Sequence, residues 1–257
     1  MILFWAENCE DVAFNTYPAA TMPDFKALRY ITSPNQVTSD AQNHHPGIDN
    51  SGPFLAMNPF SCRCCQHNHT QGWPYYAEHL VLATPDNGAA LALYASCQAD
   101  ITVGNNQKIK LIEKTNYPFE ESIQLLVQTE KNVDFPLYLR IPSWSPDASI
   151  KINGKKVKTS LIAGQYVRIQ RTWSNDDVIE LNVPMHLNLR TWQVNKNSVS
   201  IDYGPLTFSL KIQEKYIKRD SRQTAIGDSQ WQNDADAENW PHLRYSLHQP
   251  GIILLFW

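Results

Sequence analysis

A chain of 257 residues with 42% hydrophobic and 18% charged residues has a globular composition, long enough for one large domain or two modest ones. Its net charge of −3 and pI of about 6.2 give no electrostatic footprint for nucleic acid or an anionic membrane. No apolar run approaches the ~20 residues of a membrane span. Eight Trp and eleven Tyr permit stacking on sugar rings, although most aromatics in any protein are core.

The first six residues are apolar but lack the basic region and the length of a signal peptide. At the other end Gly251-Ile252-Ile253-Leu254-Leu255-Phe256-Trp257 is an apolar tail too short to span a membrane. Both ends read as cut, and no compartment is assigned. Residues 7–20 place Val12, Ala13, Tyr17 and Ala20 at helical spacing, with Pro18 and Pro23 limiting the helix. Residues 24–60 are loop-rich, punctuated by Pro34, Pro46, Gly47, Gly52, Pro53 and Pro59, with one short strand expected at 27–31. So long an irregular stretch in a compact domain is usually functional.

It delivers the chain to Cys62-Arg63-Cys64-Cys65-Gln66-His67-Asn68-His69. Three of the five cysteines fall within four positions, and two of the eight histidines follow. Thiolates and imidazoles are ligands that zinc prefers, and a low-pKa thiolate is also a nucleophile. Free cysteines are more often buried small hydrophobes, but an apolar core segment would not carry the flanking His, Asn and Gln. An odd, clustered set does not resemble a disulfide framework, so Cys62, Cys64 and Cys65 are read as reduced or metal-bound. The stretch is expected to be a loop. Packing Cys62, Cys64, Cys65 and His67 around one ion within six residues would be strained, so at least one ligand should come from elsewhere. Glu7 and Cys9 could supply a second pair, against the commoner reading of both as ordinary helix residues. Phosphate-loop, dinucleotide, His-Glu-x-x-His and Gly-x-Ser-x-Gly signatures are absent, which argues against phosphoryl transfer, nicotinamide chemistry and serine hydrolysis.

Residues 75–83 predict a helix with Tyr76, His79, Leu80 and Ala83 on one face, so His79 is expected near the core rather than as a ligand. Pro85-Asp86-Asn87-Gly88 predicts a turn. Short strands follow at 89–95, 108–114, 122–128, 135–141, 149–152, 165–170, 177–183, 187–192, 198–203 and 206–212, with Asn153-Gly154 as a hairpin turn. Many short strands at regular spacing argue a β-sandwich. The strand rhythm fades after about residue 218. Residues 1–87 are therefore assigned to a helical part carrying the Cys-Cys segment, 88–216 to the sandwich, and 217–257 to an irregular tail, disordered or out of frame.

Cys64-Cys65 followed by Asn68 resembles the Cys-Cys-x-x-Asn motif of the glycoside hydrolase family 127 β-L-arabinofuranosidases. Glu10-Asp11-Val12-Ala13-Phe14-Asn15, Tyr30 with Ser33-Pro34-Asn35, the run Phe135-Pro136-Leu137-Tyr138-Leu139-Arg140-Ile141-Pro142-Ser143-Trp144, and Asp202-Tyr203-Gly204-Pro205-Leu206 are similar to recurring family segments in the same order. The resemblance implies an α+β multidomain fragment: the C-terminal remnant of an (α/α)6 toroid followed by an all-β sandwich region. It implies a retaining hydrolase of β-L-arabinofuranosides or related pectic sugars, with Cys64 as a zinc-bound thiolate nucleophile and Cys65 as a further zinc ligand. Tyr30 and His67 are the substrate-binding candidates it suggests. His67 and His69 replace prolines common in the family motif, which implies a subgroup with a different sugar or linkage.

The family's acid/base sits in a Glu-x-Cys motif that also binds zinc. Glu7-Asn8-Cys9 mimics it but runs directly into the segment that in the family lies some thirty residues later. Glu7 and Cys9 are thus not expected to be the catalytic pair. The zinc site is expected to be incomplete and the chain inactive by itself. Two other readings stand beside this one: a non-catalytic carbohydrate-binding β-sandwich using Trp144, Trp173 or Trp192, and a small structural zinc site.

Overall fold

The computed structural model describes residues 2–21, 28–29, 38–39, 55–56, 63–195, 197–208, 215–216 and 245–246. The chain opens with helix α1 (Ile2–Asp11), which passes through a π-helical turn (Val12–Thr16) into the short α2 (Tyr17–Ala19). Two-residue strands β1 (Leu28–Arg29), β2 (Thr38–Ser39) and β3 (Leu55–Ala56) follow, then helix α3 (Arg63–Glu78). Strands β4 (Val81–Ala83), β5 (Ala89–Leu91), β6 (Cys97–Val103), β7 (Gln107–Thr115), β8 (Ser122–Thr129) and β9 (Val133–Ile141) come next. After them come β10 (Ser149–Ile152), β11 (Lys155–Lys156), β12 (Gln165–Trp173), β13 (Asp177–Asn182), β14 (Leu187–Trp192), β15 (Ser198–Tyr203) and β16 (Leu206–Phe208). The pairs β17 (Lys215–Tyr216) and β18 (Tyr245–Ser246) complete the described elements, which are mostly β-sheet with few helices.

The chain divides into two compact units, Met1–Phe14 with Trp73–Thr207, and Asn15–Gly72 with Phe208–Trp257. The first unit is built on a six-stranded sheet, β11-β10-β13-β8-β7-β6, and a four-stranded sheet, β12-β9-β5-β4. Alternation decides which side of each strand is buried. Ile123, Leu125 and Val127 of β8, Ile179 and Leu181 of β13, and Phe135, Leu137 and Leu139 of β9 are all buried in one apolar core shared by the two sheets. Trp173 is fully buried there and donates its Nε1–H to the Phe135 carbonyl at 3.0 Å. In the second unit β1 pairs with β3, and β18 pairs with both β17 and β2.

The Asn153-Gly154 turn joins β10 to β11 with both residues at positive φ, 51° and 76°, the geometry that a two-residue hairpin requires. The strands at Ser149–Ile152, Leu187–Trp192 and Ser198–Tyr203 have the expected bounds. Strand β6 escapes the sequence reading because Ala99 and Asp100 have poor β propensity, although Cys97, Ala99 and Ile101 alternate with exposed polar residues.

The helix expected at 75–83 lies elsewhere. α3 starts at Arg63, takes in Cys64 and Cys65 and ends at Glu78, despite Gly72 and Pro74 within it. Val81–Ala83 instead pairs antiparallel with Ala89–Leu91. His79 therefore sits just past the helix, exposed rather than core-facing, with Nδ1 2.7 Å from the Tyr75 carbonyl. Tyr76 and Leu80 are buried as expected, and Ala83 is exposed. The strand at 27–31 is described only as β1, and of the 206–212 strand only Leu206–Phe208 is described. Most of the 217–257 tail lies outside the described residues.

Candidate functional site

Cys64 and Cys65 are the second and third residues of α3, and His67 lies on the same helix. The backbone here is helical where a loop was expected. Their side chains, and the whole of Cys62 and Tyr30, lie outside the described residues. The first turn of a helix has N–H groups without intrahelical acceptors and the positive end of the macrodipole, and both favour a thiolate over a thiol. Successive helix residues are ~100° apart around the axis, so Cys64 and Cys65 occupy diverging positions, while Cys65 and His69 share a face at i, i+4.

Within the second unit, α3 meets the Tyr17–Ala19 segment through His69 and Gly72. The His69 and Tyr17 rings are stacked, with centroids 4.2 Å apart and planes 3° from parallel. His69 Nε2 is 3.0 Å from the Tyr17 carbonyl oxygen.

Within the first unit, α1 carries three acidic side chains, and each is engaged by a different part of the β-structure. Glu7 accepts from the Ser143 backbone N–H at 2.5 Å and from the Ser143 hydroxyl at 2.9 Å. Asp11 pairs with Arg190, with Nη1 to Oδ2 at 2.8 Å, and Arg190 Nε also pairs with Asp202 at 2.8 Å. Glu10 is buried against Arg140, which bonds it through Nη2, and it accepts from the Tyr117 hydroxyl at 2.8 Å. Arg140 Nε donates to the Ala92 carbonyl at 2.7 Å, and the Tyr94 ring lies under the guanidinium at 4.9 Å. Burial lowers the Arg140 pKa, but the Glu10 carboxylate, with Tyr117 and Tyr94 beside it, raises it, and together they hold it above the usual range.

Sequence reasoning missed Arg140 as the partner of Glu10. The available signal was the occurrence of both in segments that recur in one family. Phe14 makes edge contacts with Tyr117 and Tyr76 (centroids 5.7 and 5.6 Å), linking this polar cluster to the C-terminal half of α3.

Cys9 and Cys97 are poor nucleophiles. Burial, reinforced by Glu10, raises the Cys9 pKa, and burial with Glu113 pushes Cys97 up to about 11. Among the described residues no three His, Cys, Asp or Glu side chains come together to hold a metal. Nor, among them, is any helix long and apolar enough to cross a membrane. Of the tryptophans considered for sugar stacking, Trp173 is core and Trp144 is half-buried against the same core. Trp192 is exposed, but Arg190 lies over its ring at 4.5 Å.

Two family models match in chain order. The GH127 β-L-arabinofuranosidase catalytic domain matches residues 4–78 and the GH127 middle domain residues 88–185, together more than half of the chain. The chain belongs to glycoside hydrolase family 127.

Solved structures share this family 127 fold. A GH127 β-L-arabinofuranosidase from Geobacillus stearothermophilus T6 is similar with a TM-score of 0.65 at 21% identity, covering 84% of this chain and 37% of that one. A structure described as a glycoside hydrolase gives 0.68 at 19% identity, covering 99% and 48%. A GH127 β-arabinofuranosidase gives 0.61 at 20%, covering 83% and 37%. The family 127 chain thus spans less than half the length of each of these relatives. No curated protein matches it.

Proposed function

We propose that this family 127 chain is part of a retaining glycoside hydrolase acting on β-L-arabinofuranosides or related pectic sugars, with Cys64 as the nucleophile. In this reading residues 1–87 are the remnant of a helical catalytic toroid and residues 88–216 the β-sandwich region. The division falls in the gap between the two family matches. The observation that carries the reading is the position of Cys64 and Cys65 in the first turn of α3, inside the match to the family's catalytic domain.

The chemistry has two steps. The Cys64 thiolate attacks the anomeric carbon, a C–S bond forms, and the bond to the leaving oxygen breaks as that oxygen takes a proton. Water then attacks the same carbon from the opposite face and gives up a proton to the group that protonated the leaving oxygen, the C–S bond breaks, and the thiolate is regenerated with net retention. Glu7 is held by Ser143 and Glu10 by Arg140 and Tyr117, so neither is assigned as the proton donor. Cys65 and Cys64 are two donors of the kind zinc favours, and zinc bound there would lower the thiol pKa. Further ligands would come from outside the Cys64–Cys65 pair. Tyr30 and His67 are the residues proposed to touch the sugar.

The test is hydrolysis of an aryl β-L-arabinofuranoside by this chain and by a polypeptide extended to the length of its solved relatives. Each is assayed with Cys64 intact and as Cys64→Ser. The expected result is no turnover by this chain alone and, for the extended polypeptide, turnover with retained configuration that falls by about 10³-fold or more on substitution. Equal turnover by Cys64→Ser, or no hydrolysis of any pectic furanoside by the extended polypeptide, would overturn the proposal. The alternative of a sugar-binding sandwich is disfavoured by the burial of Trp173 and the Arg190 cover on Trp192.

A further inference from the structure

Among the described residues of the first half of α3, His69 both stacks on and hydrogen-bonds to the Tyr17 segment. A carbonyl oxygen can only accept, so in the His69–Tyr17 hydrogen bond Nε2 must carry the proton. The bond and the parallel stack together fix the plane, position and tautomer of one ring.

Gly72 completes the arrangement. It follows His69 by three positions, on the same helical face. A Cβ built at Gly72 would come within 2.6 Å of the Tyr17 hydroxyl oxygen, well inside van der Waals contact. Tyr17 therefore fills a notch whose floor is Gly72 and whose wall is His69. Glycine in a helix interior costs about 1 kcal/mol relative to alanine, and here the absent side chain is the space that Tyr17 occupies. Tyr17, Cys64, Cys65, His69 and Gly72 all belong to the same compact unit.

Helices of this length are marginal in isolation, and their terminal turns fray unless tertiary contacts hold them. Cys65 lies one turn before His69 on its face. We propose that His69 is a positioning residue for the Cys64–Cys65 pair: with Gly72 it locks α3 onto Tyr17 and keeps the first turn of the helix formed. The functional meaning of the lock rests on the reading of Cys64 as nucleophile, but the lock itself does not.

The experiment compares the intact chain with His69→Ala, His69→Phe and Gly72→Ala. Two readouts are used: amide hydrogen exchange of residues 66–68, the first amides with intrahelical acceptors, and the rate at which iodoacetamide alkylates Cys64 and Cys65, mapped by mass spectrometry. Urea unfolding followed by circular dichroism at the β-sheet band reports the β core. The lock predicts at least about tenfold faster exchange at 66–68 in His69→Ala and Gly72→Ala. It predicts an alkylation rate changed by about threefold or more in both, with the main unfolding midpoint unmoved. His69→Phe, which keeps the stacking surface and loses the hydrogen bond, should fall between His69→Ala and the parent. Exchange and alkylation within about twofold of the parent in both alanine variants would overturn the proposal. So would equal loosening of helix and core. Turnover by Cys64→Ser is read separately, so failure of the nucleophile assignment is not mistaken for failure of the lock.

Discussion

At the residue scale the decisive feature is the burial of a full charge pair. Glu10 and Arg140 have side-chain exposures of 1% and 0%, so each depends on the other for what water would otherwise supply. Burial pushes the Glu10 pKa up and Arg140 works against that rise, with the Tyr117 hydroxyl and the Tyr94 backbone N–H as further donors. Arg140→Met is expected to strand a buried carboxylate and lower stability by about 3–5 kcal/mol, measured by urea denaturation. Adding Glu10→Leu to Arg140→Met should recover a substantial part of that loss, because no unpaired charge then remains. A double variant as unstable as the single one would show that the cluster matters for shape rather than charge. Nothing in the composition marks Glu10 as buried, since acidic residues on a helix are usually solvated. Only the spacing Glu7, Glu10, Asp11 hints that one side of α1 is an attachment face.

At the scale of elements, strands were more legible than helices. The alternation Ile123/Leu125/Val127 and Leu137/Leu139/Ile141 is a local signal with a period of two, and the sheet uses it as written. Asn153-Gly154 was equally plain, because few dipeptides tolerate positive φ twice in succession. Gly154→Ala, at φ 76°, is expected to cost about 1–2 kcal/mol through backbone strain alone, since a Cβ there would meet nothing within 4 Å. Thermal unfolding measures it, and an unchanged melting temperature would show that the hairpin contributes nothing to the main transition.

Helix α3 starts and ends earlier than the spacing of residues 75–83 predicts. Asn68, Gly72 and Pro74 lower local helix propensity, and only the seat of Tyr17 against Gly72 shows why the helix runs through them. The candidate site was legible as residue chemistry, in Cys64 and Cys65, but not as the contacts that hold it. Those contacts join residues 52 positions apart.

At the scale of the whole molecule, the shared core of two sheets determines how stability responds to pH. Glu113 is buried and its Oε1 has no hydrogen-bond partner among the described residues. Burial raises its pKa well above the ordinary 4.5, against the Ala95 N–H, which lowers it. Below the ordinary value, folded and unfolded chains both hold the proton, and the group's full contribution to stability is present. As pH rises above it the unfolded chain ionises first, and that contribution is lost by about 1.4 kcal/mol per pH unit until the folded-state pKa is reached. Glu113→Gln should therefore flatten the loss of stability as pH rises above the ordinary carboxylate value and be more stable than the parent near pH 7. Parallel pH profiles for the two proteins would contradict this.

The order of the strands has a kinetic consequence. β5 runs parallel to β9, pairing Ala89 with Leu137 and Leu91 with Leu139, while β6, β7 and β8 lie between them in sequence and belong to the other sheet. The β6–β7–β8 meander can zip from adjacent hairpins with little loop entropy to overcome. The four-stranded sheet cannot close until the chain has returned from that meander, so β9 is recruited late and non-locally. Arg140 lies near the end of β9, so the seat for Glu10 of α1 is completed only after this long-range pairing. The amino-terminal helix, first in the chain, is among the last elements to find its place.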